Sequence, residues 1–124
     1  MHNPKEILIV EDEAFTAMSL RLQLEKAGYK VCDIISTGEQ AIITALRVNP
    51  DIILMDIRLA GRINGLEAAE QIIKEISSFI IFMTGYDDKE LQQRANNIHT
   101  SKYMIKPIMI SELIRAINTT EMAN

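Results

Sequence analysis

Tryptophan is absent from this chain of 124 residues, cysteine occurs once, and glycine and proline are sparse at five and three. A single cysteine excludes an internal disulfide framework. Cys32 lies in an apolar run, where a thiol reads as a small buried hydrophobe, and a reducing compartment fits that usage. No low-complexity tract, linker or internal repeat is present. Neither Gly-x-Gly-x-x-Gly nor a Gly-Lys-Ser/Thr phosphate loop occurs, which argues against a nucleotide or flavin carrier. An excess of positive charge is also missing. Thirteen Lys plus Arg against 17 Asp plus Glu leave a formal net charge of −4, the wrong sign for holding phosphate backbones, so direct nucleic-acid binding is not expected. No apolar stretch approaches the roughly 20 residues needed to cross a bilayer. The start, Met1 to Glu6, lacks the apolar segment of a secretion signal. No membrane insertion and a cytoplasmic location are the expectations.

What is present is enough for one hydrophobic core. At 124 residues and 48% hydrophobic, the chain matches a single domain over 1–124. It should bury roughly two thirds of its unfolded surface without metal clips or disulfides. Five aliphatic runs recur along it: Ile7 to Val10, Val31 to Ile35, Ile52 to Met55, Phe79 to Met83 and Tyr103 to Ile105. Most are continuously apolar instead of alternating, as strands covered on both faces are. Between them run segments with helical spacing. These carry Ala17, Leu20, Leu24, Ala27; Ala41, Ile42, Ala45, Leu46; Leu66, Ala69, Ile73, Ile76; Leu91, Ala95, Ile98; and Ile110, Leu113, Ile114, Ile117. Gly28 and Asn49-Pro50 stop the first two helices, and Ser111 before Glu112 offers a cap for the last. The seven methionines read as core filling, and His2 and His99 as solvated residues without a partner at ligand spacing. Strict βα alternation calls for an α/β three-layer sandwich with a parallel sheet and right-handed crossovers.

Such a sheet binds ligands at the carboxyl ends of its strands, near the point where strand order reverses. The first strand ends in Glu11-Asp12-Glu13, and the third runs directly into Asp56. In the 2-1-3-4-5 order of flavodoxin-like sheets these two strands are neighbours, so Glu11, Asp12 and Asp56 converge. An oxygen-rich cluster that keeps some waters suits Mg²⁺. Glu13 has a simpler role near a helix N-terminus, where negative charge is favoured. The fourth strand delivers Thr84 and then Gly85, and the fifth ends in Ile105-Lys106-Pro107, where proline permits a cis peptide. Each of these residue types has a bland explanation taken alone. Acids, a hydroxyl and an ammonium at four strand ends in this order do not.

With those residues in place the sequence resembles the response-regulator receiver domains of two-component signal transduction (the CheY-like superfamily) over essentially its whole length. Ile7-Leu-Ile-Val-Glu-Asp-Glu13 is similar to the family's acidic opening, and Ile52-Ile-Leu-Met-Asp-Ile-Arg58 to its phosphoacceptor strand. The resemblance implies a flavodoxin-like (βα)5 fold and a phosphorylation switch with Mg²⁺ as cofactor. It makes Asp56 the phosphoacceptor and Thr84 the hydroxyl that follows the phosphoryl group. Lys106 becomes its ammonium partner, and Tyr103 the aromatic that rotates inward as Thr84 moves. Glu11, Asp12, Asp56 and the backbone carbonyl of Arg58 become the metal site. It implies a sensor histidine kinase or phosphotransfer protein as phosphodonor and a downstream protein of unknown identity. The output face would comprise the fourth helix, fifth strand and fifth helix, including Arg94, Lys102, Glu112 and Arg115, through which a homodimer would form. The chain would catalyse only its own phosphoryl transfer and dephosphorylation.

Two features depart from the family pattern. Leu59-Ala-Gly-Arg-Ile-Asn-Gly65 is one residue longer than the usual connection and lacks its Met-Pro turn. Arg58 and Tyr86 are large for positions flanking the pocket, from which a long-lived phosphorylated state is expected. Two alternatives compete. A binding module that keeps the fold without phosphorylation is opposed by the intact Asp56, Thr84 and Lys106. A Mg²⁺-dependent phosphohydrolase would need an aspartate where Arg58 stands, and room for a substrate cap. No residues follow the last helix for an output domain, so the chain either acts alone through protein contacts or was cut from something longer.

Overall fold

In the computed structural model, which describes residues 5–85 and 89–122, five strands and five helices alternate. They are β1 (Glu6–Val10), α1 (Ala14–Lys26), β2 (Lys30–Ile35), α2 (Gly38–Val48), β3 (Ile52–Asp56), α3 (Gly65–Ile72), β4 (Phe79–Thr84), α4 (Lys89–Asn96), β5 (Ser101–Ile105) and α5 (Ile110–Met122). All pairings are parallel and the order is β2-β1-β3-β4-β5. The chain is thus the α/β sandwich its sequence predicts.

Alternation within the apolar strands sorts their side chains onto two faces. Leu8, Val10, Ile53, Met55, Ile80 and Phe82 point one way and pack with Ala41, Ala45, Leu66, Ala69, Ile72 and Ala95 of α2, α3 and α4. Ile7, Ile9, Ile52, Leu54, Ile81 and Met83 point the other way, onto Ala17 and Leu24 of α1 and Leu113, Ala116 and Ile117 of α5. Double coverage is why these strands need no polar face. It also leaves the strand ends as the place where polar side chains can gather.

Helix boundaries explain several local departures from the sequence reading. Ile73, Ile76 and Ile98 lie past the ends of α3 and α4, yet still pack on the core. Leu46 and the cap residue Ala27 are exposed, whereas Thr44 is buried. On α1, Phe15, Met18 and Leu22 face outward, with Phe15 86% exposed. Met109 is exposed as well, so core filling does not account for all the methionines. Cys32 is half-buried against the core, where burial pushes its thiol pKa up. Ser111 does not cap α5: it lies within the helix, and the Met109 carbonyl accepts the amides of Glu112 and Leu113. His99 sits exposed in the α4–β5 turn, and His2 falls outside the described residues.

Gly28 and Asn49 both end helices in the left-handed region, at φ +99° and 53°. Asparagine tolerates this conformation far better than other non-glycine residues. Asn49→Ala is expected to cost about 1 kcal/mol, and Asn49→Gly distinctly less, in urea denaturation. Equal losses for both would remove the conformational explanation.

Candidate functional site

Strand register lines up the carboxyl ends. Val10 pairs with Met55 and Asp56 with Met83, so Glu11 and Asp56 emerge side by side from the centre of the sheet. Thr84 pairs with Ile105, and its carbonyl accepts the Lys106 amide at 2.7 Å. One hydrogen-bonded rim therefore carries all four residues.

Lys106 Nζ donates to Glu11 Oε1 at 2.7 Å and to Asp56 Oδ2 at 3.0 Å. Both acids are buried, at 2% and 5% exposure, and the ammonium bridges them. Burial works against the Lys106 charge, but the two carboxylates outweigh it and hold its pKa above the usual value. Glu11 is pushed up to about 7, chiefly by burial and then by Asp56, while Lys106 pulls the other way. Asp56 Oδ1 accepts the Arg58 amide at 3.1 Å, which folds the chain back directly after β3. Among the described residues no buried side-chain nitrogen or oxygen lacks a partner.

Asp12 is exposed, and its Oδ2 accepts the Ala60 amide at 3.1 Å. Oxygen atoms of Glu11, Asp12 and Asp56 all lie within 4.8 Å of one another. Hard oxygen donors at this spacing, open to solvent on the Asp12 side, fit a small divalent cation that retains waters. Glu13 belongs to a different task. Its carboxylate caps α1 by accepting the amide and hydroxyl of Thr16, and these bonds lower its pKa.

Thr84 is fully buried at the end of β4, and Tyr103 is half-buried on the α2–α3–α4 side, opposite Phe82 in register. The Arg58 side chain is exposed, and Tyr86 lies outside the described residues. The Lys106–Pro107 peptide is cis. Beside it, α1 and the β5–α5 turn form a groove of about 600 Å³, lined by Phe15, Met83, Lys106, Pro107 and Ile108 among others.

Sequence reasoning missed two residues here. Gly65 packs so closely on the end of β3 that a Cβ built on it would meet the Asp56 carbonyl oxygen at 2.1 Å. Glu39, in the first turn of α2, accepts the amides of Arg62 and Ile63 with Oε1 at 3.2 and 3.1 Å. The unusual length of the β3–α3 connection was the only hint of either.

Residues 7–118 match the family model for the response regulator receiver domain. The transcriptional regulatory protein PdtaR of Mycobacterium tuberculosis is 33% identical over 114 residues, covering 92% of this chain and 55% of that protein, so the chain spans about half of this relative's length. The chemotaxis protein CheY of Thermotoga maritima is 30% identical over 115 residues, covering 92% of this chain and 95% of that one. Among solved structures, the signal receiver domain of a modulated diguanylate cyclase from Desulfovibrio desulfuricans superposes with a TM-score of 0.85 at 38% identity, over 94% of this chain and 92% of that one. A CheY-like receiver domain protein from Methanospirillum hungatei gives 0.87 at 27% identity, over 94% and 93%. Fold, strand-end chemistry and sequence likeness converge, and the chain belongs to the response regulator receiver family of two-component systems.

Proposed function

We propose that residues 1–124 form a single phosphorylation switch in which Asp56 accepts a phosphoryl group from a histidine kinase or phosphotransfer protein. The observation that carries this reading is the Lys106 ammonium held between the buried carboxylates of Glu11 and Asp56 at a strand end. Glu11, Asp12 and Asp56, with the backbone carbonyl of Arg58, would hold Mg²⁺. When bound, the ion supplies positive charge against the phosphoryl oxygens.

The residues divide the rest of the work. An Asp56 oxygen attacks phosphorus in line, the bond to the donor nitrogen breaks, and an acyl phosphate forms. Lys106, already within 3.0 Å of Asp56, pairs with a phosphoryl oxygen without a large movement. The product carries charge near −2 and several acceptor oxygens, which draw in the Thr84 hydroxyl and free space for Tyr103 to turn inward. That shift biases the face made by α4, β5 and α5. There Lys102, Tyr103, Glu112 and Arg115 line a depression of about 300 Å³, while Arg94 pairs with Glu70 of α3 at 3.0 Å. A downstream protein or a second copy of the chain reads this face. Exposed Phe15, beside the groove next to Lys106, suits a protein phosphodonor better than a small molecule. No second substrate is turned over. Bulk at Arg58 and Tyr86, at positions flanking the pocket, would shield the acyl phosphate from water and give a long-lived phosphorylated state, which a lifetime of seconds in Mg²⁺-saturated protein would rule out.

No helix among the described residues is long and apolar enough to cross a membrane, which accords with a cytoplasmic site of action. The test is incubation of the purified protein with Mg²⁺ and acetyl phosphate, read by intact mass. Wild type should gain one base-labile phosphate that Asp56→Asn and a chelated sample lack. No gain, even with candidate phosphodonor kinases, would favour the phosphorylation-independent binding module.

A further inference from the structure

The β3–α3 loop is fastened along one side to the start of α2. Thr37 forms an isolated parallel bridge with Ala60, and Gly38 lies so close to Ile63 that a Cβ there would meet Ile63 Cγ1 at 2.7 Å. Glu39 then accepts two consecutive backbone amides, those of Arg62 and Ile63. Its carboxylate sits directly over Gly61, which has φ +104° and no Cβ; one built there would be 2.9 Å from Glu39 Oε2. A charged acceptor serving two N–H groups makes stronger bonds than a neutral one. The same loop reaches the acidic pocket on its other side, where the Ala60 amide donates to Asp12 Oδ2 at 3.1 Å. Upstream, Arg58 is pinned to Asp56 through its own amide. The segment from Arg58 to Ala60 is therefore held at Asp56 on one side and at the start of α2 on the other, directly by the Thr37 bridge and, just beyond it, by the Glu39 bonds.

We propose that Glu39 is a positioning residue for the metal pocket: by clamping Arg62 and Ile63 it holds the Ala60 amide against Asp12, and so sets the orientation of that ligand. This inference rests on the reading of Glu11, Asp12 and Asp56 as a Mg²⁺ site. Groups that orient a metal ligand from behind typically alter affinity 10- to 100-fold when removed. Glu39 acts one link further back, through Ala60, so Glu39→Ala should weaken Mg²⁺ binding by about tenfold. Glu39→Gln keeps a carbonyl oxygen for both amides and should recover most of that loss.

MgCl₂ titration of the full chain, followed through backbone amide resonances, measures the dissociation constant directly. Acetyl phosphate incorporation against Mg²⁺ concentration gives the second readout. In Glu39→Ala the half-saturating Mg²⁺ concentration should rise about tenfold, while the rate at saturation changes much less. Should Glu39→Ala fail to fold, Glu39→Asp keeps the charge but withdraws the acceptor by one methylene, and should shift affinity the same way. A lowered Tm with unchanged Mg²⁺ affinity would make Glu39 merely structural and overturn the proposal. Equal weakening by Glu39→Gln would point to long-range charge instead of the clamp and overturn it as well. If wild type itself shows no Mg²⁺-dependent shifts, the metal-site reading fails and takes this inference with it.

Discussion

Gly65→Ala is expected to cost about 3 kcal/mol and to lower Tm by about 10 °C, a large effect for one methyl group. The added Cβ would meet the Asp56 carbonyl oxygen at 2.1 Å, and the Asp56 carbonyl carbon and Ile57 Cα at 2.9 Å. These are backbone atoms, so no rotamer change relieves the overlap. Either α3 must retreat or the end of β3 must move. Retreat pulls Leu66, Ala69 and Ile72 from the core and stretches the 2.8 Å bond from the Gly65 amide to the Ile57 carbonyl. Movement of β3 displaces Asp56 from Lys106. Either route should reduce phosphate incorporation as well as stability, which thermal unfolding and intact-mass measurement read separately. A Tm within 2 °C of wild type, about 0.5 kcal/mol, would show that the close approach is relieved cheaply.

Lys106→Met should destabilise the metal-free protein by about 3 kcal/mol at pH 8, because it leaves two buried carboxylates without their cation. Mg²⁺ should restore part of the loss. Acetyl phosphate incorporation should slow by on the order of 10², the usual effect of removing one charge-stabilising donor. The penalty should shrink at pH 5, for a reason visible in the wild type. Glu11 has a folded pKa of about 7 against an ordinary 4.5, so between these values the folded state keeps a proton that the unfolded chain has released. Its contribution to stability is full below pH 4.5 and is lost as pH rises through 7. Removing Lys106, which pulls the Glu11 pKa down, extends this loss to higher pH and so makes it larger. Glu11→Gln should flatten the metal-free profile between pH 5 and 8 while abolishing the response to Mg²⁺. An unchanged profile in Glu11→Gln would mean that other groups govern the pH dependence.

Much of this protein was legible in one dimension. Ile7 to Val10 and Ile52 to Met55 are apolar at every position, and in a βα-alternating chain such runs have nowhere to go but the middle of a sheet covered on both faces. Once that sheet is parallel, the residues just after each strand share one rim. Glu11, Asp12, Asp56, Thr84 and Lys106 could therefore be gathered without coordinates, because spacing from the strand end is a local property. Helical spacing was less decisive. On α1 the same periodicity that buries Ala17 and Leu24 also carries Phe15, Met18 and Leu22 into solvent, and period alone does not say which stripe faces inward.

Tertiary structure alone decided the support of the site. Glu39 meets Arg62 and Ile63 across more than 20 residues of sequence, and its spacing from them follows no repeat. Gly65 opens a helix, where any residue satisfies local propensity; only the carbonyl of Asp56 pressing on it requires the absence of a side chain. The bridging of Glu11 and Asp56 by one ammonium likewise depends on where three chain segments end in space. Residue types and their order along the strands determined the fold and the chemical inventory of the rim, since both follow from local periodicity and burial. Which groups orient that inventory was settled only by packing, because backbone amides and close approaches leave no mark in composition or spacing.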